Sequence, residues 1–290
     1  MQREIERELS AWQQLAEHLP LLIRGARQVG KTYVIEKIGK QHFENIVTVN
    51  FEYQPAYQRC FETLNPHEII NAISLLSGQK IIPGQTLLFL DEIQECPKAI
   101  TALRYFKELL PELHIIGAGS LLEFVINDEM IRMPVGRVQF MHLKPLSFRE
   151  FLKGAGFEPL CQWLDNTNFK QSNLTAHEHL LKLIHQYVIL GGMPAVLDCY
   201  FQTKDLTQCQ NIQTGLLATY RHDFGKYATK TNHRYLQRIF DSIPRLIGQN
   251  IKFSKIDGEM RSRDLKIALQ QLKQAGLIQL ITATSGKKIP

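Results

Sequence analysis

The 290-residue sequence predicts an α/β fold in which a parallel sheet is flanked by helices and followed by a mostly helical region. Three observations predict this fold. The pattern G-x-x-x-x-G-K-T spans residues 25–32, directly after the apolar run at residues 21–23. A second apolar run, at residues 86–90, ends in two acidic residues. From Phe148 onward, apolar residues recur mainly at the spacing of a helix.

Length and composition are those of an ordinary globular chain. A length of 290 residues suggests about two domains, and 44% hydrophobic residues can form buried cores. No apolar run approaches the roughly 18 to 20 residues of a membrane span, and the first ten residues are charged, with no apolar signal core. We therefore expect a cytoplasmic protein with no membrane partner. The five cysteines are scattered without a C-x-x-C pair, so neither disulfides nor a zinc site are expected.

The chain begins with a predicted amphipathic helix over residues 3–18. Ile5, Leu9 and Trp12 recur at three- and four-residue steps and form one apolar stripe, which we expect to pack against the first strand. Pro20 is expected to end this helix. Residues 21–24 then form the central strand that leads into the glycine-containing motif.

The motif at residues 25–32 has the features of a phosphate-binding loop between a strand and a helix. Glycines let such a loop bring several backbone N–H groups close to phosphate oxygens, and the N-terminus of the following helix adds partial positive charge. We expect ATP to bind here, with Lys31 neutralising the β- and γ-phosphates and the Thr32 hydroxyl binding Mg²⁺. The alternative is a plain tight turn. The candidate nucleotide-binding residues are Gly25, Ala26, Arg27, Gln28, Val29, Gly30, Lys31 and Thr32.

The acidic pair lies at the end of another predicted strand. Residues 46–51 predict a strand and residues 67–77 a helix, after which residues 86–90 predict a buried parallel strand. Ligands bind at the carboxyl ends of strands in open α/β sheets, which is where Asp91 and Glu92 would lie. Asp91 suits the Mg²⁺ shell through a water, and Glu92 suits a base that orients or deprotonates the attacking water. The alternative is a pair of acids that cap a helix beginning at Ile93.

Two further candidate residues flank the last predicted strands. Residues 114–118 predict a core strand. We expect it between the strand at 21–24 and the strand at 86–90, with Ser120 near its tip as a sensor of the γ-phosphate or the water. Ser120 could equally cap a helix at residues 121–126. Residues 138–143 predict the last strand. Arg137, just before it, could reach the γ-phosphate in its own subunit or in a neighbouring one, or could be a surface arginine.

The rest of the chain predicts a helical lid and a second small domain. Helices are expected at residues 148–153, 177–190, 195–201 and 205–220, with a polar, low-signal stretch at 165–176 and a break at the G-G-M-P sequence 191–194. A helix at 233–247, a short element at 253–256, a helix at 262–275, a strand at 277–281 and a basic turn at 285–288 outline a winged helix-turn-helix. The outline stops before a second wing strand, so we expect this domain to be truncated.

This organisation predicts three domains: a P-loop ATPase domain at residues 1–147, a lid at 148–230 and a winged-helix-like domain at 231–290. The last domain is basic. Residues 252–288 contain eight lysines and arginines but only three acids. Such a region can bind DNA, but it can also be a solvated face or a contact for an acidic partner.

In combination these motifs resemble a family of predicted bacterial and archaeal ATPases. The resemblance rests on the octet at 25–32, D-E-I-Q at 91–94, G-S-L-L at 119–122, P-V-G-R-V at 134–138, S-F-R-E-F-L at 147–152 and G-G-M-P at 191–194. It implies an AAA+-type P-loop NTPase domain that binds ATP and Mg²⁺, a helical lid and a winged helix. In the family, the winged helix is followed by a C-terminal domain of unknown function that is reminiscent of restriction-endonuclease folds, and we do not expect that domain within these residues.

Two functional hypotheses follow. The first is an ATPase whose hydrolysis drives or times a conformational change in an unknown protein partner. If Arg137 acts between subunits, this ATPase would be a homo-oligomer. The second is a nucleotide-dependent switch that binds DNA through the winged helix, with Arg261, Arg263 and Lys266 contacting phosphates and little turnover. A kinase or GTPase is disfavoured, because the sequence has no N-K-x-D motif and no acceptor-binding element that we recognise.

Overall fold

The computed structural model describes residues 1–119, 136–166, 173–227 and 230–282. The chain divides into two compact units, Met1–Leu216 and Leu217–Pro290. The sheet and most of the predicted lid lie in the first unit. The finer division into three domains therefore stays an interpretation of the sequence.

The first unit contains a parallel sheet. In the described residues its strands are β1 (Leu21–Arg24), β2 (Asn45–Asn50), β3 (Thr86–Asp91), β4 (His114–Gly119) and β5 (Gln139–His142), in the order β2-β3-β4-β1-β5. All neighbouring strands pair in parallel, with Arg24 beside Gly119 and Asp91 beside Ala118. The carboxyl ends of β1, β3 and β4 therefore meet at one edge of the sheet. Every residue of β3 and β4 is buried, as expected of strands covered on both faces.

Helices surround this sheet and continue beyond it. The described helices of the first unit are α1 (Ile5–Gln13), α2 (Lys31–His42), α3 (Pro66–Ser77), α4 (Pro97–Leu109), α5 (Phe148–Gly154), α6 (Glu158–Asn166), α7 (Leu174–Leu190), α8 (Pro194–Thr203) and α9 (Leu206–Tyr227), the last of which ends in the second unit. None of the helices described here combines the length and apolar character needed to cross a bilayer. The parallel sheet with flanking helices confirms the predicted fold class.

Separate apolar cores support the sheet and the helices that follow it. Phe51 and Phe61 meet edge to face in the core beneath α3 and α4. A second core forms around Phe151, which packs near Tyr187 and Phe201. This second core belongs to the predicted lid, and its contacts fix α5, α7 and α8 relative to one another.

The second unit is helical in its described part. Its helices are α10 (Lys230–Leu246), α11 (Phe253–Ile256) and α12 (Ser262–Gln274), which pack around Leu236, Ile239, Leu265 and Leu272. The predicted strand at 277–281 is wrong, because these residues form irregular chain. Leu277, Ile278 and Leu280 instead pack on the helical core, whereas Ile281 is exposed. A strand needs a partner to satisfy its backbone groups, and the described residues of this unit contain no strand that could pair with it.

The helices also differ from prediction in other respects: α6 was not predicted, and α9 continues to Tyr227 instead of ending at residue 220. The first helix ends at Gln13 rather than continuing toward Pro20, because His18 is buried against the sheet instead of following the helical path. Helix α7 begins at Leu174, inside the stretch expected to be irregular, because the Asn173 side chain accepts a hydrogen bond from the Ala176 N–H at 3.2 Å and caps it. The predicted helix at 121–126 and basic turn at 285–288 lie outside the described residues.

A cluster of three rings joins the N-terminal segment to the sheet. The imidazoles of His18 and His114 stack with their centroids 3.6 Å apart, and Trp12 meets both rings edge-on. Burial lowers the pKa of His18, and burial together with the neighbouring His18 lowers the pKa of His114 to about 4. The fold therefore holds both rings neutral near pH 7.

This cluster predicts a loss of stability in mild acid. An unfolded histidine takes up its proton near pH 6.5, whereas the folded His114 resists protonation until about pH 4, so stability is complete above pH 6.5 and falls as the pH drops between these values. The loss should be on the order of 2 to 3 kcal/mol. Urea unfolding at neutral and acidic pH should show this drop for the wild type and a clearly smaller one for His114→Leu. An equal drop in both proteins would contradict the account, whatever the packing cost of the substitution, because that cost is common to both pH values.

Candidate nucleotide-binding site

The loop at residues 25–30 curls tightly between β1 and α2. Gly25 has φ +156°, and a Cβ atom there would lie 2.2 Å from the backbone oxygen of Leu143, the residue directly after β5. Gly30, which precedes the first residue of α2, has φ +92°, and Gln28 also has a positive φ of 65°. Residues other than glycine rarely adopt the backbone conformations found at Gly25 and Gly30, the two ends of the loop. The glycines therefore let the loop backbone turn back on itself directly above β1.

Lys31 turns its ammonium group into this loop. Its Nζ donates hydrogen bonds to the carbonyl oxygens of Gly25, at 2.9 Å, and Ala26, at 3.0 Å. Burial lowers the pKa of Lys31 to about 8, and the nearby carboxylates of Glu92 and Asp91 oppose this shift. The group is therefore mostly charged at neutral pH, and the backbone carbonyls of its own loop hold that charge.

Asp91 connects the loop to the neighbouring strands. Its Oδ2 accepts hydrogen bonds from the Thr32 hydroxyl at 3.1 Å and from the Asn50 side-chain amide at 3.2 Å. Burial and the charge of Glu92 raise the pKa of Asp91, while the bond from Thr32 opposes the rise. A cation at this carboxylate would favour its ionised form. A hydroxyl and a carboxylate in contact beside the loop are oxygen ligands of the kind that Mg²⁺ prefers, so the residues present fit the predicted metal.

Glu92 follows Asp91 in a backbone conformation that is unusual for its type. Its φ and ψ are 48° and 46°, in the left-handed region, and its N–H donates to Asp91 Oδ1 at 3.1 Å. Its carboxylate oxygen Oε2 accepts a hydrogen bond from Gln94 Nε2 at 2.6 Å. Strain of this kind costs about 1 to 3 kcal/mol and persists where surrounding contacts enforce it.

A buried ion pair between Arg3 and Glu150 contacts the loop backbone. Arg3 donates from Nη1 to the Val29 carbonyl at 2.9 Å and from Nε to Glu150 Oε1 at 3.0 Å, and both side chains are about 5% exposed. Glu150 also completes a capping box with Ser147 at the start of α5. The N-terminal segment, the loop and α5 thus share one charged contact. Neither contact was predicted: the pattern S-x-x-E at residues 147–150 is a sequence signature that could have indicated the capping box, whereas a single arginine near the N-terminus gives no signal for its role.

The G-G-M-P break lies beside the loop. A Cβ at Gly30 would be 3.8 Å from Pro194 Cγ, which begins α8. A Cβ at Gly192 would lie 2.2 Å from the Leu146 backbone oxygen, and the Leu146 N–H donates to the Gly192 carbonyl at 2.7 Å. The absence of a side chain at Gly192 therefore lets the break approach the chain that leads into α5.

Two other predicted site residues, Arg27 and Arg137, form ion pairs with glutamates outside the Thr32–Asp91 contact. Arg27 forms a surface ion pair with Glu52, at 3.5 Å. Arg137 precedes β5, whose first residue pairs with the first residue of β1, so it lies at the amino end of the sheet, and its Nε pairs with Glu108 Oε1 at 3.4 Å. The four residues of β1, about 13 Å of strand, separate that end from the loop. Ser120 lies outside the described residues.

P-loop nucleoside triphosphatases are defined by such a loop, by the lysine and threonine that follow it, and by acidic residues at the end of a nearby parallel strand. Residues 17–152 match the family model described as AAA domain, which supports the AAA+-type P-loop family that the sequence motifs predicted. Residues 181–289 match a model described as a domain of unknown function (DUF8612). The sequence matches no curated protein at a significant level.

Solved structures agree on the fold. The Walker-type ATPase PAby2304 of Pyrococcus abyssi has a TM-score of 0.59 at 17% sequence identity, with 94% of this chain and 89% of that chain covered. The Aeropyrum pernix ORC2 protein, solved as ADPNP–ADP complexes, has a TM-score of 0.47 at 14% identity, with 95% of this chain and 85% of that chain covered. At this identity the first similarity establishes the fold alone, and the second is too distant to add to it.

The contact at Gly25 predicts a large effect of one methyl group. Gly25→Ala should lower the free energy of unfolding by roughly 2 to 5 kcal/mol, because the Cβ meets the backbone of Leu143 and the backbone conformation disfavours a side chain. Gly215→Ala, in α9, makes the same chemical change, but there the added Cβ meets no atom within 4 Å apart from the backbone of its own helix. It should raise the free energy of unfolding by about 0.5 to 1 kcal/mol. Urea unfolding followed by tryptophan fluorescence distinguishes the two. Similar small effects at both positions would contradict the described loop.

Proposed function

We propose that this chain binds ATP with Mg²⁺ at the loop of residues 25–32 and hydrolyses it, and that hydrolysis drives or times a conformational change in a protein partner. The hydrogen bond between Thr32 Oγ1 and Asp91 Oδ2, at 3.1 Å, is the observation that carries the proposal. It joins the hydroxyl at the start of α2 to the carboxylate at the end of β3, which are the two groups expected to hold the metal.

The loop and Lys31 would bind the triphosphate. Loop N–H groups and the N-terminus of α2 favour an anion at this position. The Lys31 ammonium would exchange the carbonyl oxygens of Gly25 and Ala26 for oxygens of the β- and γ-phosphates. A buried lysine whose partners are only carbonyl dipoles gains more from a phosphate than an exposed lysine would, because less water screens the interaction.

Thr32 and Asp91 would hold the metal ion, the hydroxyl directly and the carboxylate through water. When bound, Mg²⁺ neutralises negative charge on the β- and γ-phosphates. Asn50, which also donates to Asp91, would keep that carboxylate oriented. These residues need only small movements for this purpose, since all of them already meet at one carboxylate.

Glu92 would orient the attacking water and accept its proton. It lies next to Asp91 at the same edge of the sheet, and its charge acts on Lys31. Ser120 follows Gly119, the last residue of β4, which lies between β1 and β3. A sensor role for Ser120 fits this position and stays a prediction.

The wider cellular setting is proposed from the sequence. Action of Arg137 on its own subunit is disfavoured by its position at the amino end of the sheet. Action in a neighbouring copy, and with it a homo-oligomer, stays a prediction. A cytoplasmic location likewise stays a prediction.

DNA binding is the second candidate function, and the surface of α12 favours it. Arg261, Arg263 and Lys266 are all exposed at the beginning of this helix. Helix α11, a turn and α12 follow one another as in a helix-turn-helix, whose second helix contacts DNA. In this alternative the nucleotide would set the affinity for DNA, with little turnover.

Two substitutions separate nucleotide binding from hydrolysis. Lys31→Ala should strongly weaken ATP binding, because it removes the side-chain charge expected on the phosphates. Glu92→Gln should leave binding intact and slow hydrolysis by a factor on the order of 10² or more. Calorimetry measures the first effect and a phosphate-release assay the second. Equal loss of binding in both variants would contradict the division of roles between them.

Salt dependence tests the DNA alternative. Affinity should fall with salt at a log-log slope of about 0.9 for each phosphate contacted, so Arg261→Ala combined with Arg263→Ala should reduce the slope by about two units. Lys80→Ala combined with Lys98→Ala changes the net charge equally, at exposed positions in the first unit, and should leave the slope unchanged. Absence of binding at low salt in a fluorescence-anisotropy titration would leave α12 as a packing element.

A further inference from the structure

Gln94 makes a contact with Glu92 that nothing in the proposed function yet uses. It lies in the short 3-10 turn Ile93–Glu95, two residues after Glu92, and only 7% of its surface is exposed. Its Nε2 donates to Glu92 Oε2 at 2.6 Å, a short bond of the kind expected when the acceptor is charged. A buried amide therefore holds one of the two carboxylate oxygens of the residue expected to act on water.

The other end of the Gln94 amide indicates that this orientation has a cost. Among the described residues, Gln94 Oε1 is buried and meets no hydrogen-bond donor. Exchanging the amide oxygen and nitrogen would not help, because it would bring Oε1 against the Glu92 carboxylate. An unsatisfied buried acceptor costs about 1 to 3 kcal/mol, whereas an apolar side chain of similar size would avoid that cost. A residue chosen only for packing would have no reason to be glutamine.

Glu92 is held at both of its ends. Its backbone is fixed in the left-handed region by the bond from its N–H to Asp91 Oδ1, and its carboxylate is fixed by Gln94. The side chain of a free glutamate has three rotatable bonds, so these two contacts select one position of the carboxylate from many. With Oε2 taken by Gln94, the remaining oxygen, Oε1, is the one that can face a reacting group.

We propose that Gln94 is a positioning residue for ATP hydrolysis: its amide holds the Glu92 carboxylate with Oε1 presented to the attacking water. The inference rests on the proposed function, because it assigns the partner that keeps the general base in place. Gln94 itself does not touch the reacting atoms in this scheme. A neutral donor suits the role, since a lysine or arginine there would form an ion pair with Glu92 and compete with the proton that it must accept.

Two substitutions of Gln94 test the proposal, with a matched control elsewhere. Gln94→Leu removes the donor at similar volume, and Gln94→Glu keeps the shape but sets a second carboxylate against Glu92. Gln271, in α12 of the second unit, also has a buried amide oxygen without a described partner, so Gln271→Leu is the same chemical change in the second unit. Single-turnover hydrolysis, ATP affinity by calorimetry and thermal unfolding would be measured for each.

We expect Gln94→Leu to slow hydrolysis by a factor on the order of 10 to 10², because a misplaced catalytic group loses that much, while ATP affinity and stability stay at or above those of the wild type. Gln94→Glu should slow it further, and Gln271→Leu should have no effect on the rate. In a double-mutant cycle, Gln94→Leu should cause little further loss in the Glu92→Gln background, because both changes disable the same carboxylate.

Other outcomes are decisive in the opposite direction. Unchanged hydrolysis in Gln94→Leu, or a loss that adds fully to that of Glu92→Gln, would overturn the positioning role. A rate loss matched by loss of ATP affinity and stability would show a structural role instead. Wild-type protein that neither binds nor hydrolyses ATP would contradict the proposed function, and with it the role of Gln94, whereas an active wild type with an unaffected Gln94→Leu would overturn only the latter.

Discussion

The buried carboxylate of Asp91 is the contact on which the arrangement of the site depends. A carboxylate removed from water must be compensated by hydrogen-bond donors, and here the donors come from three segments: Thr32 in α2, Asn50 at the end of β2 and the backbone of Glu92. Satisfying one acid therefore fixes the start of the helix after the loop, the edge of the neighbouring strand and the turn that carries Glu92. The parallel sheet makes this possible because it brings these segments to one edge.

A second buried charge connects the loop to α5. Arg3 contacts Glu150 in α5 and the Val29 carbonyl in the loop, so the N-terminal segment links the two. Removing one member of a buried pair leaves the other uncompensated, at a cost of about 3 to 5 kcal/mol. A change in the loop that moves the Val29 carbonyl would therefore disturb Arg3, and through it the ion pair with Glu150 in α5. Under the proposed function, this linkage is a physical route from nucleotide in the loop to α5.

The residues that could be predicted from sequence are those whose role follows from local order along the chain. The octet could be recognised from its sequence alone, and it lies between a strand and a helix as expected. The acidic pair could be recognised in the same way, and it lies at the end of a buried strand as expected. Gln94 and Arg3 could not be assigned in this way, because their partners are set by the packing of separate segments. The end of α1 was misjudged for the same reason, since the burial of His18 against His114 overrides the apolar pattern that favoured a longer helix. The apolar residues 277–281 satisfied the pattern of a strand but had no described strand to pair with.

A crystal structure with a non-hydrolysable ATP analogue and Mg²⁺ would test the central claim most directly. The account predicts the triphosphate in the loop at residues 25–32, with Lys31 Nζ moved from the carbonyl oxygens of Gly25 and Ala26 to phosphate oxygens. Thr32 and Asp91 should then bind the metal, directly and through water, in place of the hydrogen bond between them. A nucleotide bound elsewhere, with Lys31 still on its two carbonyls and Thr32 still on Asp91, would contradict it.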